Sequence, residues 1–213
     1  ACFVIDGKTQ YCVRASRELR PGFDRVSVGP LSYEVLEPLR TVRLTLADNP
    51  YGLSCMIDFN AAMAPHEEEA QTAKFRGRVL ENVKRYVQLG RPSGWIRAEG
   101  NEIAVDASSW RAERDHSWGI RRGGGVPETG VQPGEVPQGY LYNFILAQFE
   151  GWGVTYHTRE SWDAKTLAFS GAVMYPPEAG KDEKKLVRVD HNYTFKPDVR
   201  HINGGSVALH PEE

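Results

Sequence analysis

The residues best suited to chemistry sit in one short run, Arg114-Asp115-His116-Ser117-Trp118-Gly119. In an extended strand, alternation turns His116, Trp118 and Ile120 to one face and Asp115, Ser117 and Gly119 to the other. An imidazole beside an indole offers a proton donor or acceptor near neutral pH. The indole face also stabilises a passing carbocation. The pair suits acid-initiated chemistry on an apolar, unsaturated substrate, with His116 as acid/base and Trp118 as the wall. Asp115 turns away towards Arg111, Arg114 or Arg121, where a guanidinium keeps it ionised and the pair holds the strand. The competing reading is structural, with Trp118 in the core, His116 a hydrogen-bonded interior histidine and the arginines in salt bridges.

The elements that must position this run read as strands. Glycine (21) and proline (13) interrupt the chain at short intervals, period-2 alternation recurs, and helical periodicity is hard to find. Thr41–Leu46 alternates without a fault, with Val42, Leu44 and Leu46 facing a core. In 53–61, Cys55, Ile57 and Phe59 share one face; Ser54, Met56 and Asp58 share the other. Met56 and Asp58 either line a polar cavity or lie on a solvated sheet face. His66-Glu67-Glu68-Glu69 reads as a solvated acidic run, because adjacent residues point in different directions and rarely ligate a metal together. Residues 67–82 fit a short helix or a loop followed by a strand. The stretches 85–89, 94–98 and 102–108, with turns at 90–93 and 99–101, form an up-and-down meander, the pattern of a barrel or curved sheet.

Residues 123–139 are dense in glycine and proline and mark a linker or loop. They divide the chain into a first β domain, 1–122, and a second, 140–213. In 140–150, Tyr142 and Phe144 share a face with Leu146. Further strands follow at 153–159, 167–175 and 186–195, so the fold class is all-β.

Hydrophobic residues at 40% and charged residues at 25% match an ordinary globular protein. The formal net charge of −2 lacks the basic surplus of a nucleic-acid binder. The longest apolar runs are far short of the ~20 residues of a membrane helix, so no transmembrane segment is expected. Gly123-Gly124-Gly125 has no lysine or helix after it to cradle a phosphate; no cofactor and no metal are expected. Cys2, Cys12 and Cys55 are too few for a disulfide framework. A Cys2–Cys12 bridge requires the two to face each other across a hairpin; otherwise all three are reduced, mostly buried thiols in a reducing compartment, which sets the cytoplasm as the expected location. The chain opens in mid-strand at Ala1, so a missing N-terminal part is expected.

The central motif, together with Gly29-Pro30-Leu31, Glu37-Pro38-Leu39, Arg85-Tyr86-Val87-Gln88-Leu89-Gly90 and Ser93-Gly94, resembles the lipocalin-like superfamily that includes carotenoid 1,2-hydratase. The resemblance spans most of the chain, and its specific part is Arg-Asp-His-Ser-Trp-Gly. It implies two lipocalin-like antiparallel β-barrels or curved sheets packed together, in a longer protein. The superfamily contains a cofactor-free hydratase of terpenoid double bonds and cyclases that fold polyenes. His116 and Trp118 match the hydratase's motif histidine and tryptophan. The hydratase also carries Tyr-x-Asp on a later strand, its aspartate donating the proton. The counterpart here is Tyr142-Asn143-Phe144, with phenylalanine in the acid's place, which leaves Asp58, His157 and Asp190 open as donors.

Two functions follow as expectations. One is a cofactor-independent hydratase, isomerase or cyclase acting on a terpenoid, steroid or polyketide, with His116 and Trp118 catalytic and Tyr142, Phe144, Met56 and Asp58 against the ligand. The other is a non-catalytic carrier of such a molecule, since barrels of this kind hold single ligands. Oligomeric state is not legible.

Overall fold

A computed structural model describes residues 1–213 except 6, 19–24, 76, 121–140, 162, 164 and 200. The expected linker 123–139, Tyr140 and Arg121 therefore lie outside the described residues. The protein is all-β, built on two curved antiparallel sheets. No described helix is long and apolar enough to cross a membrane. The chain divides into two compact units, and neither is a continuous run of sequence. Unit 1 comprises Ala1–Ala62 and Leu89–Arg114; unit 2 comprises Met63–Gln88 and Asp115–Glu213. Residues 63–88, read from sequence as part of a first domain, thus pack with the C-terminal part of the chain.

In unit 1 a hairpin of β1 (Cys2–Ile5) and β2 (Thr9–Cys12) precedes a sheet that meanders through β3 (Arg25–Val28), β4 (Leu31–Glu37), β5 (Thr41–Leu46) and β6 (Ser54–Ala61). β6 pairs with β9 (Arg78–Ala98), and β9 with β10 (Asn101–Val105). The core gathers the inward residues of these strands: Leu46, Leu53, Cys55 and Ala98 are buried with Val13. Leu44, expected in the core from its alternation, is exposed. Its neighbours across the strands are Tyr33 and Ile57.

The meander expected over 85–108 differs in two respects: its last strand, expected over 102–108, ends at Val105, and its first turn is absent. The four residues 90–93 do not turn; β9 runs unbroken through them. Proline survives inside this strand because Pro92 faces Phe59 at a position that does not hydrogen-bond to β6. The Ala62 N–H donates to the Leu89 carbonyl, and every second pair from there bonds, which skips Pro92. Gly94 (φ +135°) sits so close to the Met56 carbonyl that a Cβ would lie 2.0 Å from its oxygen.

The first part of β9, up to Gln88, belongs to unit 2. There it pairs with β7 (His66–Glu67), β8 (Gln71–Phe75) and the latter part of β11 (Ala112–Ile120). Within the undecided stretch 67–82, residues 71–75 and 78–82 are strand. The remainder of unit 2 is a five-stranded antiparallel sheet in sequence order: β12 (Leu141–Gln148), β13 (Gly153–Glu160), β14 (Thr166–Met174), β15 (Lys184–Phe195) and β16 (Ile202–Pro211).

The registers sort this sheet into two unlike faces. Ile145 lies opposite Tyr156, and Ala147 opposite Val154. That face forms an apolar core with Leu186, Phe169, Val173, Val189 and Leu209. On the other face Phe144 lies opposite His157, and Leu146 opposite Thr155; His157 in turn faces Ser170. Thr155, His157 and Ser170 are all buried. A sheet with one buried apolar face and one buried polar face must satisfy the polar one internally, because a buried polar group without a partner costs about 1–3 kcal/mol.

Candidate functional site

Part of the polar face of unit 2 finds partners on the segment from β7 to β9: the Glu69 N–H donates to Ser170 Oγ at 3.3 Å and Glu68 meets His157, while Thr155 Oγ1 is buried with no hydrogen-bond partner among the described residues. The run His66-Glu67-Glu68-Glu69 is not a solvated acidic stretch: extended backbone alternates it, with His66 and Glu68 buried and Glu67 and Glu69 exposed. The register aligns His66 with Val87 and Glu67 with Tyr86, and the Glu68 N–H donates to the Arg85 carbonyl at 2.9 Å. Glu68 and Arg85 are thereby neighbours on the inward face, while Tyr86 points outward.

Arg85 is the hub of the site. Its Nη1 lies 3.5 Å from Glu68 Oε2, and its Nε 3.2 Å from Asp115 Oδ1. Nη1 also donates to the Tyr142 hydroxyl at 3.5 Å. The guanidinium stands 5.4 Å from the centre of the Phe144 ring, in cation–π range. Its side chain is only 11% exposed, and that of Glu68 3%. Burial works against the Arg85 charge, but the Tyr142 hydroxyl and the carboxylates of Glu68 and Asp115 outweigh it and hold its pKa above the usual arginine value. The Nε–Asp115 contact is close enough for charge attraction but not aligned as a hydrogen bond.

Glu68 reaches a second base. Its Oε2 lies 3.2 Å from His157 Nδ1, again near but off hydrogen-bond alignment, and its Oε1 is buried with no hydrogen-bond partner. The far side of the imidazole meets Gln71, whose Nε2 is 3.5 Å from His157 Nε2. Arg159 donates to Gln71 Oε1 at 3.4 Å. That bond turns the Gln71 amide so that its N–H groups face His157. The amide thus meets Nε2, the ring nitrogen away from the carboxylate. A carboxylate behind one nitrogen and a basic nitrogen in front is the arrangement that orients a histidine for proton transfer. The Tyr142 ring lies 6.3 Å from the imidazole and 6.3 Å from Phe144.

The central motif is divided between two faces. His116 and Trp118 do share a wall, with ring centres 5.8 Å apart, and Tyr86 joins them, stacked on His116 at 5.1 Å. This wall is exposed, Trp118 at 46%; it is neither core nor the lining of the buried cluster. Alternation along β9 separates Tyr86 from Arg85, so His116 and Trp118 lie on the opposite face of the strands from Tyr142 and Phe144. Asp115 does turn away from His116, and among the described residues it meets the guanidinium of Arg85, at 3.2 Å. Arg114 belongs to unit 1 and donates to the Tyr33 hydroxyl. Gly119 closes the motif at φ +125°, where a Cβ would lie 2.0 Å from the Asn82 carbonyl oxygen.

Met56 and Asp58 lie in unit 1. Asp58 sits directly across from Arg43, in a bidentate pair at 2.7 Å on both nitrogens. Arg43 holds its carboxyl below the usual range, which disqualifies it as a proton donor near neutral pH. Asp190 is exposed and paired with Arg188 and His210. Of the three donors left open by sequence, only His157 joins Tyr142 and Phe144. Glu68 and Arg85 were missed as site residues. The signal for Glu68 was the period-2 rule itself, applied through the acidic run. An open depression of about 520 Å³ in unit 1, lined by Val13, Arg14 and Leu31 among others, touches none of these residues. Among the described residues no three His, Cys, Asp or Glu side chains are grouped to hold a metal.

Fold and site together define an all-β protein that buries an Arg–Glu–His cluster under the polar face of a five-stranded sheet. The chain belongs to a family of unknown function, DUF8625, whose model matches residues 1–213. No curated protein matches the sequence, and no solved structure matches it.

Proposed function

We propose that unit 2 binds a hydrophobic small molecule and acts on it without a cofactor, as a hydratase, isomerase or cyclase. In this reading His157 replaces His116 as the acid/base. The observation that carries it is the placement of His157: Glu68 Oε2 lies 3.2 Å from Nδ1 and the Gln71 amide 3.5 Å from Nε2, beside Tyr142 and Phe144. The Tyr142 hydroxyl, held by Arg85, would anchor a polar end of the ligand, and Phe144 would meet its apolar body. The substrate class, a terpenoid or related molecule, comes from the motif's resemblance to the carotenoid 1,2-hydratase superfamily.

A second reading is favoured by burial. His157 is 2% exposed and Glu68 5%, as suits a cluster that fixes the fold of a carrier. Native mass spectrometry of the full-length protein with lipid extracts separates the two. A ligand that gains water or isomerises with the wild type, but not with His157→Gln, supports the enzyme. A ligand bound unchanged by both supports the carrier. No retained ligand refutes both.

A further inference from the structure

The two cysteines of the β1–β2 hairpin stand directly opposite each other, with their sulfurs 3.5 Å apart. Both are exposed, against the expectation of buried thiols; only Cys55 is buried. Backbone bonding fixes the kind of pair they form. Ala1 and Val13 exchange hydrogen bonds at 2.9 Å in each direction, so the next pair along, Cys2 and Cys12, is a non-hydrogen-bonded one. Such pairs bring Cα atoms to about 4.5 Å, within the span of about 4.4–6.8 Å that a disulfide bridges. Closing this bond requires rotation about the side chains and no shift of strand register.

We infer that Cys2 and Cys12 form a reversible cross-strand disulfide by exchange with an anionic low-molecular-weight disulfide such as glutathione disulfide. The two thiols have distinct tasks. The Gln10 amide donates to Cys12 Sγ at 3.2 Å and favours its thiolate; contact with Cys2 and the charge of Arg14 act in the same direction. Cys2 is shifted the opposite way, first by its contact with Cys12. Cys12 is therefore the attacking sulfur, since the thiolate is the nucleophile. It attacks one sulfur of glutathione disulfide and expels one glutathione thiolate. Cys2 then loses its proton to solvent and attacks the Cys12 sulfur of the mixed disulfide, expelling the second glutathione thiolate. Two protein thiols are oxidised and one disulfide is reduced to two thiols, so electrons balance without a further oxidant. Val13 is held to Ala1 in the ladder, so Arg14, two residues on from Cys12, lies on the same face; its charge acts on both sulfurs and gives the preference for an anionic partner.

The test is mass spectrometry of the 213-residue chain in an oxidising glutathione buffer, with free thiols then alkylated and mapped. The expected result is the loss of two hydrogens, a peptide linking Cys2 to Cys12, and Cys55 alkylated only after denaturation. Cys2→Ser should stop at a glutathione adduct on Cys12, and a dithiol reductant should restore both thiols. Arg14→Glu should slow the reaction with glutathione disulfide but not with cationic cystamine. Thiols that stay reduced, glutathione on both cysteines without a bridge, or a bridge to Cys55 would each overturn the assignment. Equal slowing with both reagents would overturn the anionic preference.

Discussion

Replacing Arg85 with methionine tests the ionic cluster directly. Methionine keeps much of the aliphatic stem against Phe144 and removes only the charge. It strands Glu68, 3% exposed in its side chain, with His157 as its remaining partner. At 3.5 Å and an effective dielectric of about 20, the lost attraction is about 5 kcal/mol. The Asp115 contact adds little, because that carboxylate is 42% exposed and water screens it. Desolvation of the guanidinium, no longer required, offsets part of the loss. Breaking one side of a buried pair typically costs about 3–5 kcal/mol, and the lower half of that range is expected here. The control is Arg97→Met, whose pair with Glu102 is exposed at 48% and 53% and should cost under about 1 kcal/mol.

Because the chain packs as two units, a single unfolding transition is a poor probe. Hydrogen exchange of the β13 amides reads unit 2 locally. The double variant Arg85→Met/Glu68→Gln should lose less than the sum of the single changes, since neither charge is then left alone. An Arg85→Met cost no larger than that of Arg97→Met, or additive losses in the double variant, would refute the buried network.

Gly119→Ala should destabilise unit 2 by on the order of 2–4 kcal/mol, because alanine meets both a positive φ and the Asn82 carbonyl; normal β11 exchange protection would refute it. Asp58 has a depressed folded pKa, so its pairing contributes stability above the ordinary carboxylate pKa that is lost as pH falls through the folded value. Hydrogen exchange of the β5 and β6 amides, which reads unit 1 locally, should show a shallower loss of protection between about pH 5 and pH 2 in Arg43→Met than in the wild type. Tyr156 is shifted upward by burial and then by its neighbour Tyr193. A raised acid is the opposite case: stability is full below the ordinary tyrosine pKa and declines as pH rises past about 10. Ultraviolet titration should show one tyrosine that ionises only on unfolding, a feature absent in Tyr156→Phe.

Sequence alone determined what depends on neighbours along the chain. Alternation in Thr41–Leu46 and 53–61 specified strands and most of their inward faces. It also placed His116 beside Trp118 and turned Asp115 away, because a strand's side-chain period is fixed by backbone geometry. The opposition of Cys2 and Cys12, only a condition in the sequence, came from the register of β1 and β2. What required the tertiary structure was every choice that depends on what lies opposite. The turn chemistry at 90–93 was overridden because β6 pairs along the whole stretch and Pro92 falls at a position where no ladder bond is needed. The acidic run at 66–69 looked solvated by composition, yet pairing with β9 sent every second residue inward, His66 to Glu183 and Glu68 to Arg85 and His157. Asp115 had three nearby arginines in sequence and met a fourth, 30 residues earlier, because β9 and β11 are adjacent in the sheet. His116 and Tyr142 looked like parts of one site and lie on opposite faces. A period of two tells which residues share a face; only the packing of sheets decides which face is buried, and against what charge.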